Sequence, residues 1–153
     1  MKHMLLCLLA LLAGTGGALA ADKPDFSGEW KMNAEESFYG TVPMPTSYVR
    51  NITHKDPSLV IDDNQEINGQ KQIYSRTVAT DGKPADQTIM GTSVTCSAVW
   101  DGDALVVTSK ANEYKLVYND HMTLSADGKT LTSKLEVSSP QGNVILLIIF
   151  DKQ

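Results

Sequence analysis

The chain holds two arginines, Arg50 and Arg76, and both sit in the same local pattern, Tyr48-Val49-Arg50 and Tyr74-Ser75-Arg76. An aliphatic residue follows each two positions on, Ile52 and Val78 respectively. On an extended strand, residues two apart share a face, so tyrosine, arginine and aliphatic side chain would point the same way. A guanidinium offers a planar fork of donors that matches a carboxylate or another anionic head group with two parallel bonds. Facing inward, Arg50 and Arg76 would clamp such a group, with Tyr48 and Tyr74 one step along. Facing outward, they would pair with acids on neighbouring strands, the usual setting for charged side chains. Both placements are open to the sequence. Cys96, on the apolar face of its strand, and Tyr114 complete the set of candidate ligand-contact residues.

Other reactive side chains form no catalytic constellation. His54 and His121 lie near turns in different strands and lack the spacing of a metal site, so both read as surface turn residues. Cys96 has no neighbouring cation to favour its thiolate. The chain contains neither a Gly-x-Ser-x-Gly elbow nor a Ser-x-x-Lys motif. Glu35-Glu36 and Asp62-Asp63 read as a helix N-terminus and a hairpin end. The expectation is a protein that is not an enzyme and holds no metal or cofactor.

The elements that must position these residues are strands. From Thr46 onward, runs rich in Val, Ile, Thr and Tyr alternate with turn pairs: Asp56-Pro57, Asn68-Gly69, Asp81-Gly82, Asp101-Gly102, Asp127-Gly128 and Gln141-Gly142. Asp-Gly and Asn-Gly suit tight hairpins, whose central residues need positive φ. The alternation assigns faces: Val94, Cys96, Ala98 and Trp100 oppose Ser93, Thr95 and Ser97, and Leu131, Ser133, Leu135 and Val137 oppose Thr130, Thr132, Lys134 and Glu136. The last run, Val144 through Phe150, is apolar without a break, which predicts a strand covered on both faces by the amino-terminal segment or by another chain. Between the first strand, near residues 26–32, and Thr46, Asn33 is a candidate N-cap with Glu36 three residues on. That predicts one short helix, closed off by Gly40, Pro43 and Pro45. The fold class is therefore all-β: an antiparallel up-and-down meander barrel of about 8–10 strands with one short helix after the first strand.

The amino terminus has the parts of a cleavable secretion signal. Lys2 precedes an apolar core from Met4 to Ala13, and Ala18-Leu19-Ala20 supplies the small-x-small cleavage pattern. The core is shorter than the ~20 residues a membrane-spanning helix needs. The domain reading is a signal peptide over 1–20 and one barrel domain over 21–153, located in the periplasm or secreted from a bacterium. Removing the signal would leave Cys96 as the only thiol, so the domain must stand on packing rather than a disulfide. With 13 basic against 18 acidic residues and a net charge of −5, and no basic cluster, nucleic acid is not an expected partner.

Phe26-x-Gly28-x-Trp30 at the start of such a meander resembles the opening of the calycin group, which comprises lipocalins, fatty-acid-binding proteins and avidins. In that resemblance the glycine lets the first strand bend and the tryptophan plugs the closed end of the barrel. Val99 through Val107, with its Asp101-Gly102 turn, is similar to a hairpin of fatty-acid-binding proteins, and Asp25 through Lys31 resembles small exported bacterial lipocalin-like proteins. The resemblance implies a barrel that binds a small apolar or amphipathic molecule. Three departures stand beside it. Residues 33–45 leave no room for a helix-turn-helix lid. Ile148-Ile149-Phe150 stands where fatty-acid-binding proteins carry an Arg-x-Tyr pair. Trp30 and Trp100 are too few for an avidin-type site. The alternative function is an envelope or interaction module, for example a homodimer through residues 144–150.

Overall fold

The computed structural model describes residues 23–153, so the secretion-signal reading of residues 1–20 lies outside the described residues. Ten strands follow one another: β1 (Gly28–Met32), β2 (Ser47–Lys55), β3 (Ser58–Ile67), β4 (Gln70–Ala79), β5 (Ala85–Ile89), β6 (Thr92–Asp101), β7 (Ala104–Ala111), β8 (Leu116–Leu124), β9 (Thr130–Ser139) and β10 (Gly142–Lys152). A single 3-10 turn, Asn112–Tyr114, separates β7 from β8. The strands form one antiparallel sheet in the order β4-β3-β2-β1-β10-β9-β8-β7-β6-β5. Each hairpin neighbour in sequence is a neighbour in space, and β1 pairs with β10 to carry the meander round. The turn pairs do what their chemistry suggests. Between β3 and β4, Asn68 and Gly69 both take positive φ, 52° and 76°, which gives a two-residue loop the twist of the strands it joins.

The ring closes everywhere except between β4 and β5, which form no ladder. A side chain stands in for the missing rung: Gln87 on β5 accepts from the Thr77 amide through Oε1 (3.1 Å) and donates from Nε2 to the Thr77 carbonyl (3.0 Å). One backbone bridge, Asp81 with Val99, adds to the seam.

The predicted helix after β1 is not formed. Asn33 does cap a turn, with its Oδ1 accepting from the Glu36 amide at 3.3 Å and its carbonyl from the Ser37 amide at 3.1 Å. The chain then leaves helical geometry. Phe38 exchanges two backbone hydrogen bonds with Leu147 (2.7 and 2.9 Å), and Asn33 donates to the Ile149 carbonyl at 2.8 Å. Strand β10 runs on past the end of β1, and its unpaired edge offers the segment backbone partners that a second helical turn would forfeit.

Within the described residues β10 is covered on one face. Leu146, Ile148 and Phe150 point into the core, but on the outer face Ile145 is 54% and Leu147 38% exposed. Residues 33–38 lie along the edge of β10. His54, read as a surface turn residue, is instead nearly enclosed. Its Nδ1 accepts from the Phe26 amide (3.3 Å), and its Nε2 faces Asp56 Oδ1 at 2.9 Å. His121 lies mid-strand in β8 rather than at a turn.

The core is divided along the barrel axis. Towards the closed end Phe26, Trp30, Leu59, Ile61, Leu105, Met122, Leu131 and Phe150 are fully buried and fill the interior. Trp30 also satisfies its indole, donating to the Phe26 carbonyl at 3.0 Å. Truncating it opens a large void and frees that carbonyl, so Trp30→Ala is expected to lower stability by about 3–5 kcal/mol. Urea unfolding checks this, and a loss below about 1 kcal/mol would mean the ring contributes no more than a surface side chain.

Candidate functional site

Above the filled half, the barrel holds a cavity of about 560 Å³. Its walls are mainly apolar, from Val94 on β6, Ala111 on β7, Leu135 and Val137 on β9, and Leu146 and Ile148 on β10. Tyr39, Val42 and Pro43, from the segment that replaces the helix, supply another part of the wall. Arg50 and Asp120 line it at the boundary with the packed half.

That boundary is a buried charge cluster built by strand register. On β2, Tyr48, Arg50 and Ile52 point inward as one face. Arg50 stands directly opposite Asp63 on β3, and Asp63 opposite Tyr74 on β4. Arg76 is two residues further along β4, on the diagonal from Asp63. Arg50 donates from Nε to Asp63 Oδ1 (2.7 Å), from Nη1 to Asp120 Oδ2 (2.9 Å) and from Nη2 to the Tyr48 hydroxyl (2.7 Å). The Tyr48 hydroxyl in turn donates to Asp63 Oδ1 at 2.9 Å. Arg76 donates from Nη2 to Asp63 Oδ2 at 3.1 Å and lies 3.9 Å from Asp120 Oδ2. From the opposite wall, Ser133 on β9 donates to the free oxygen of Asp120. The Arg50 guanidinium also sits over the Phe150 ring, 5.2 Å from its centroid, a favourable place for a cation.

The electrostatics follow from burial and pairing. Burial pushes the Asp63 carboxyl up, but Arg50 and then Arg76 outweigh it and hold the group below the usual carboxylate range. Burial likewise works against the charge on Arg50, yet Asp63, Tyr48 and Asp120 keep it firmly protonated. The Tyr48 phenol, enclosed beside Asp63, is driven well above its ordinary value chiefly by burial. Two guanidinium groups thus face two carboxylates, and the cluster carries no net charge.

The candidate residues read from the sequence are distributed unevenly. Tyr48, Arg50, Tyr74 and Arg76 all line the cavity. The arginines face inward, yet they pair with acids there, which joins halves of both placements open to the sequence. Tyr114 sits at the mouth and is 55% exposed. Cys96 is fully buried but does not reach the cavity; its thiol donates to Ser109 Oγ at 3.4 Å. Asp63 corrects the reading of Asp62-Asp63 as a hairpin end, because it lies buried mid-strand. Asp63, Asp120 and Ser133 join the site without being among the candidates read from the sequence. The signal that marks the acids is phase: Asp63 continues the inward face of Leu59 and Ile61, and Asp120 that of Met122.

Ten antiparallel strands in meander order, a seam between the fourth and fifth, and an interior cavity make this an up-and-down β-barrel. No family model matches the chain, and no curated protein matches it in sequence. Solved structures match it in fold. Fatty-acid-binding protein 1 of Echinococcus granulosus superposes with a TM-score of 0.58 at 11% identity, over 83% of this chain and 96% of that one. The zebrafish ileal bile acid-binding protein complexed with cholic acid gives 0.57 at 16% identity, over 84% and 98%. The fatty acid binding protein of Schistosoma mansoni in complex with arachidonic acid gives 0.56 at 14% identity, over 84% and 96%.

The cluster makes stability depend on pH with a definite sign. Asp63 has a lower pKa folded than unfolded, so its contribution is fully present above the unfolded value of about 3.9 and is lost as pH falls through the folded value. Wild-type stability is expected to fall steeply below about pH 4. Asp63→Asn should be less stable at neutral pH by about 3–5 kcal/mol, because it leaves Arg50 and Arg76 short of a counter-charge, and should show a flatter acid limb. Urea midpoints measured across pH for both proteins test this.

Proposed function

We propose that this chain is an exported carrier or receptor barrel whose cavity takes one small apolar or amphipathic molecule. The observation that carries the reading is the division of the interior: the closed half is packed with side chains, whereas the half above the charge cluster is an open, mostly apolar cavity of about 560 Å³. That volume lies within the ~300–1,000 Å³ of small-molecule sites. The fold neighbours described as binding fatty acids and bile acids support the same reading. The uncharged apolar dye N-phenyl-1-naphthylamine should bind wild type and brighten as it leaves water. Val137→Trp, which projects a large ring from the cavity wall, should bind it at least about ten-fold more weakly, which is about 1.4 kcal/mol. A dye signal unchanged by that substitution would place binding outside the cavity and end the proposal.

The export half of the reading rests on Lys2, the apolar core and the Ala18-Leu19-Ala20 pattern. The mature chain is expected to begin at Ala21 and to be recovered from the periplasm or medium. Amino-terminal sequencing that returned Met1 from a soluble cytoplasmic fraction would overturn it. The outward Ile145 and Leu147 favour a second reading, assembly of two copies through residues 144–150. Native mass spectrometry of the same preparation reads copy number and retained ligand together.

A further inference from the structure

The identity of the polar group that the cavity accepts is written in the balance of its boundary cluster. Arg50 is fully committed: its three nitrogens donate to Asp63, Asp120 and Tyr48. Arg76 is not. It uses Nη2 alone, against Asp63 at 3.1 Å. Its Nε is buried with no hydrogen-bond partner among the described residues, although the residue is only 9% exposed and lines the cavity. A donor without a partner is a standing penalty, and a guanidinium that lines a cavity with donors left over offers an attachment point for an acceptor.

The same cluster argues against an anion as that acceptor. Asp63 and Asp120 cancel Arg50 and Arg76, so an incoming carboxylate would meet no net positive charge. Its oxygens would stand near two buried carboxylates, in a space where an ion loses its hydration without recovering it from an opposite charge. A carbonyl oxygen of an uncharged molecule gives up far less hydration and still accepts from Arg76. On the reading of the cavity as a small-ligand site, we infer that it selects uncharged amphiphiles bearing a carbonyl-type acceptor, placed against Arg76, over fatty-acid anions of the same shape. Asp63 and Asp120 are then specificity determinants as well as structural partners, because they remove the positive charge that two inward arginines would otherwise present.

Displacement of N-phenyl-1-naphthylamine by dodecanamide and by dodecanoate, at about pH 8 where the acid is ionised, tests this with two ligands that differ in charge and little else. The amide should bind wild type at least about ten-fold more tightly. Arg76→Met should lower the affinity for the amide relative to that for the dye, which has no carbonyl, by about ten-fold. Asp120→Asn, which gives the cluster a net positive charge, should move the amide-to-carboxylate ratio towards dodecanoate by about ten-fold or more. Circular dichroism checks that each variant is folded, and if Asp120→Asn is not, the wild-type pair and Arg76→Met decide. Dodecanoate binding wild type as tightly as the amide would overturn the inference and leave the small-ligand reading standing. Bound dye that neither ligand displaces would do the same. A wild type that does not bind the dye would remove both.

Discussion

The bond between Arg50 on β2 and Asp120 on β8 spans the interior of the barrel, and the rest of the arrangement depends on it. The two residues are 70 positions apart in sequence and on opposite walls, yet Nη1 and Oδ2 meet at 2.9 Å. A guanidinium buried among apolar side chains is stable only if each of its donors is met and its charge answered. Asp63 answers it from the adjacent strand and Asp120 from across the barrel. Each acid is in turn held by further donors, Tyr48 and Arg76 on Asp63, Ser133 on Asp120. Removing one member would strand the others, so the cluster fixes β2, β3 and β4 against β8 and β9 as a unit.

Its position also sets where the core ends. Below it, towards the closed end, Trp30, Leu59, Ile61, Met122 and Leu131 are fully buried. Above it the same inward faces line a cavity. Each inward row changes character as it crosses this level. On β2 the row runs from Ile52 through Arg50 to Tyr48, and on β8 from Met122 through Asp120 to Tyr118. Aliphatic side chains close the lower half. Arginine, aspartate and tyrosine, whose polar tips require partners, mark the level at which the interior opens.

The barrel was legible in the sequence because its two determinants are local. Period-two alternation gave the faces, and Asn-Gly and Asp-Gly pairs gave the hairpins. The inward face of Arg50 and Arg76 could be read only conditionally, since alternation says which residues share a face but not which face is inside. Asp63 and Asp120 were legible in principle, in phase with Leu59 and Ile61 on one strand and Met122 on the other. An acid in phase with aliphatic residues looks like a strand end until its cross-strand partner is known, and the Arg50 to Asp63 pairing depends on a register that the sequence does not print. The segment after β1 misled for a related reason. Asn33 and Glu36 are sound capping chemistry, and the turn they cap does form, but the unpaired edge of β10 competes for the same backbone groups. That edge exists only in the assembled sheet. The unbroken apolar run of 144–150 predicts cover by the amino-terminal segment or another chain, and within the described residues its inward face is packed while Ile145 and Leu147 stand on the outer face.

Stability alone does not account for charges at this level of the barrel. A buried ion-pair network replaced by well-packed apolar side chains is often as stable or more so, and the lower half of this interior shows that the chain can fill itself with aliphatic and aromatic groups. Apolar substitutes at positions 50, 63, 76 and 120 could extend that packing upward and shrink the cavity. What they could not supply is a floor that is polar, neutral and rigid at once. Arg50, held on three sides, contributes rigidity and no open donor. The two aspartates contribute neutrality. Arg76, held on one side, lines the cavity with donors left over. The division of labour between two arginines in identical Tyr-x-Arg settings comes from the strands beside them: Arg50 has Asp63 directly opposite and Asp120 across the barrel, whereas Arg76 reaches Asp63 only on the diagonal and borders the seam where β4 and β5 form no ladder.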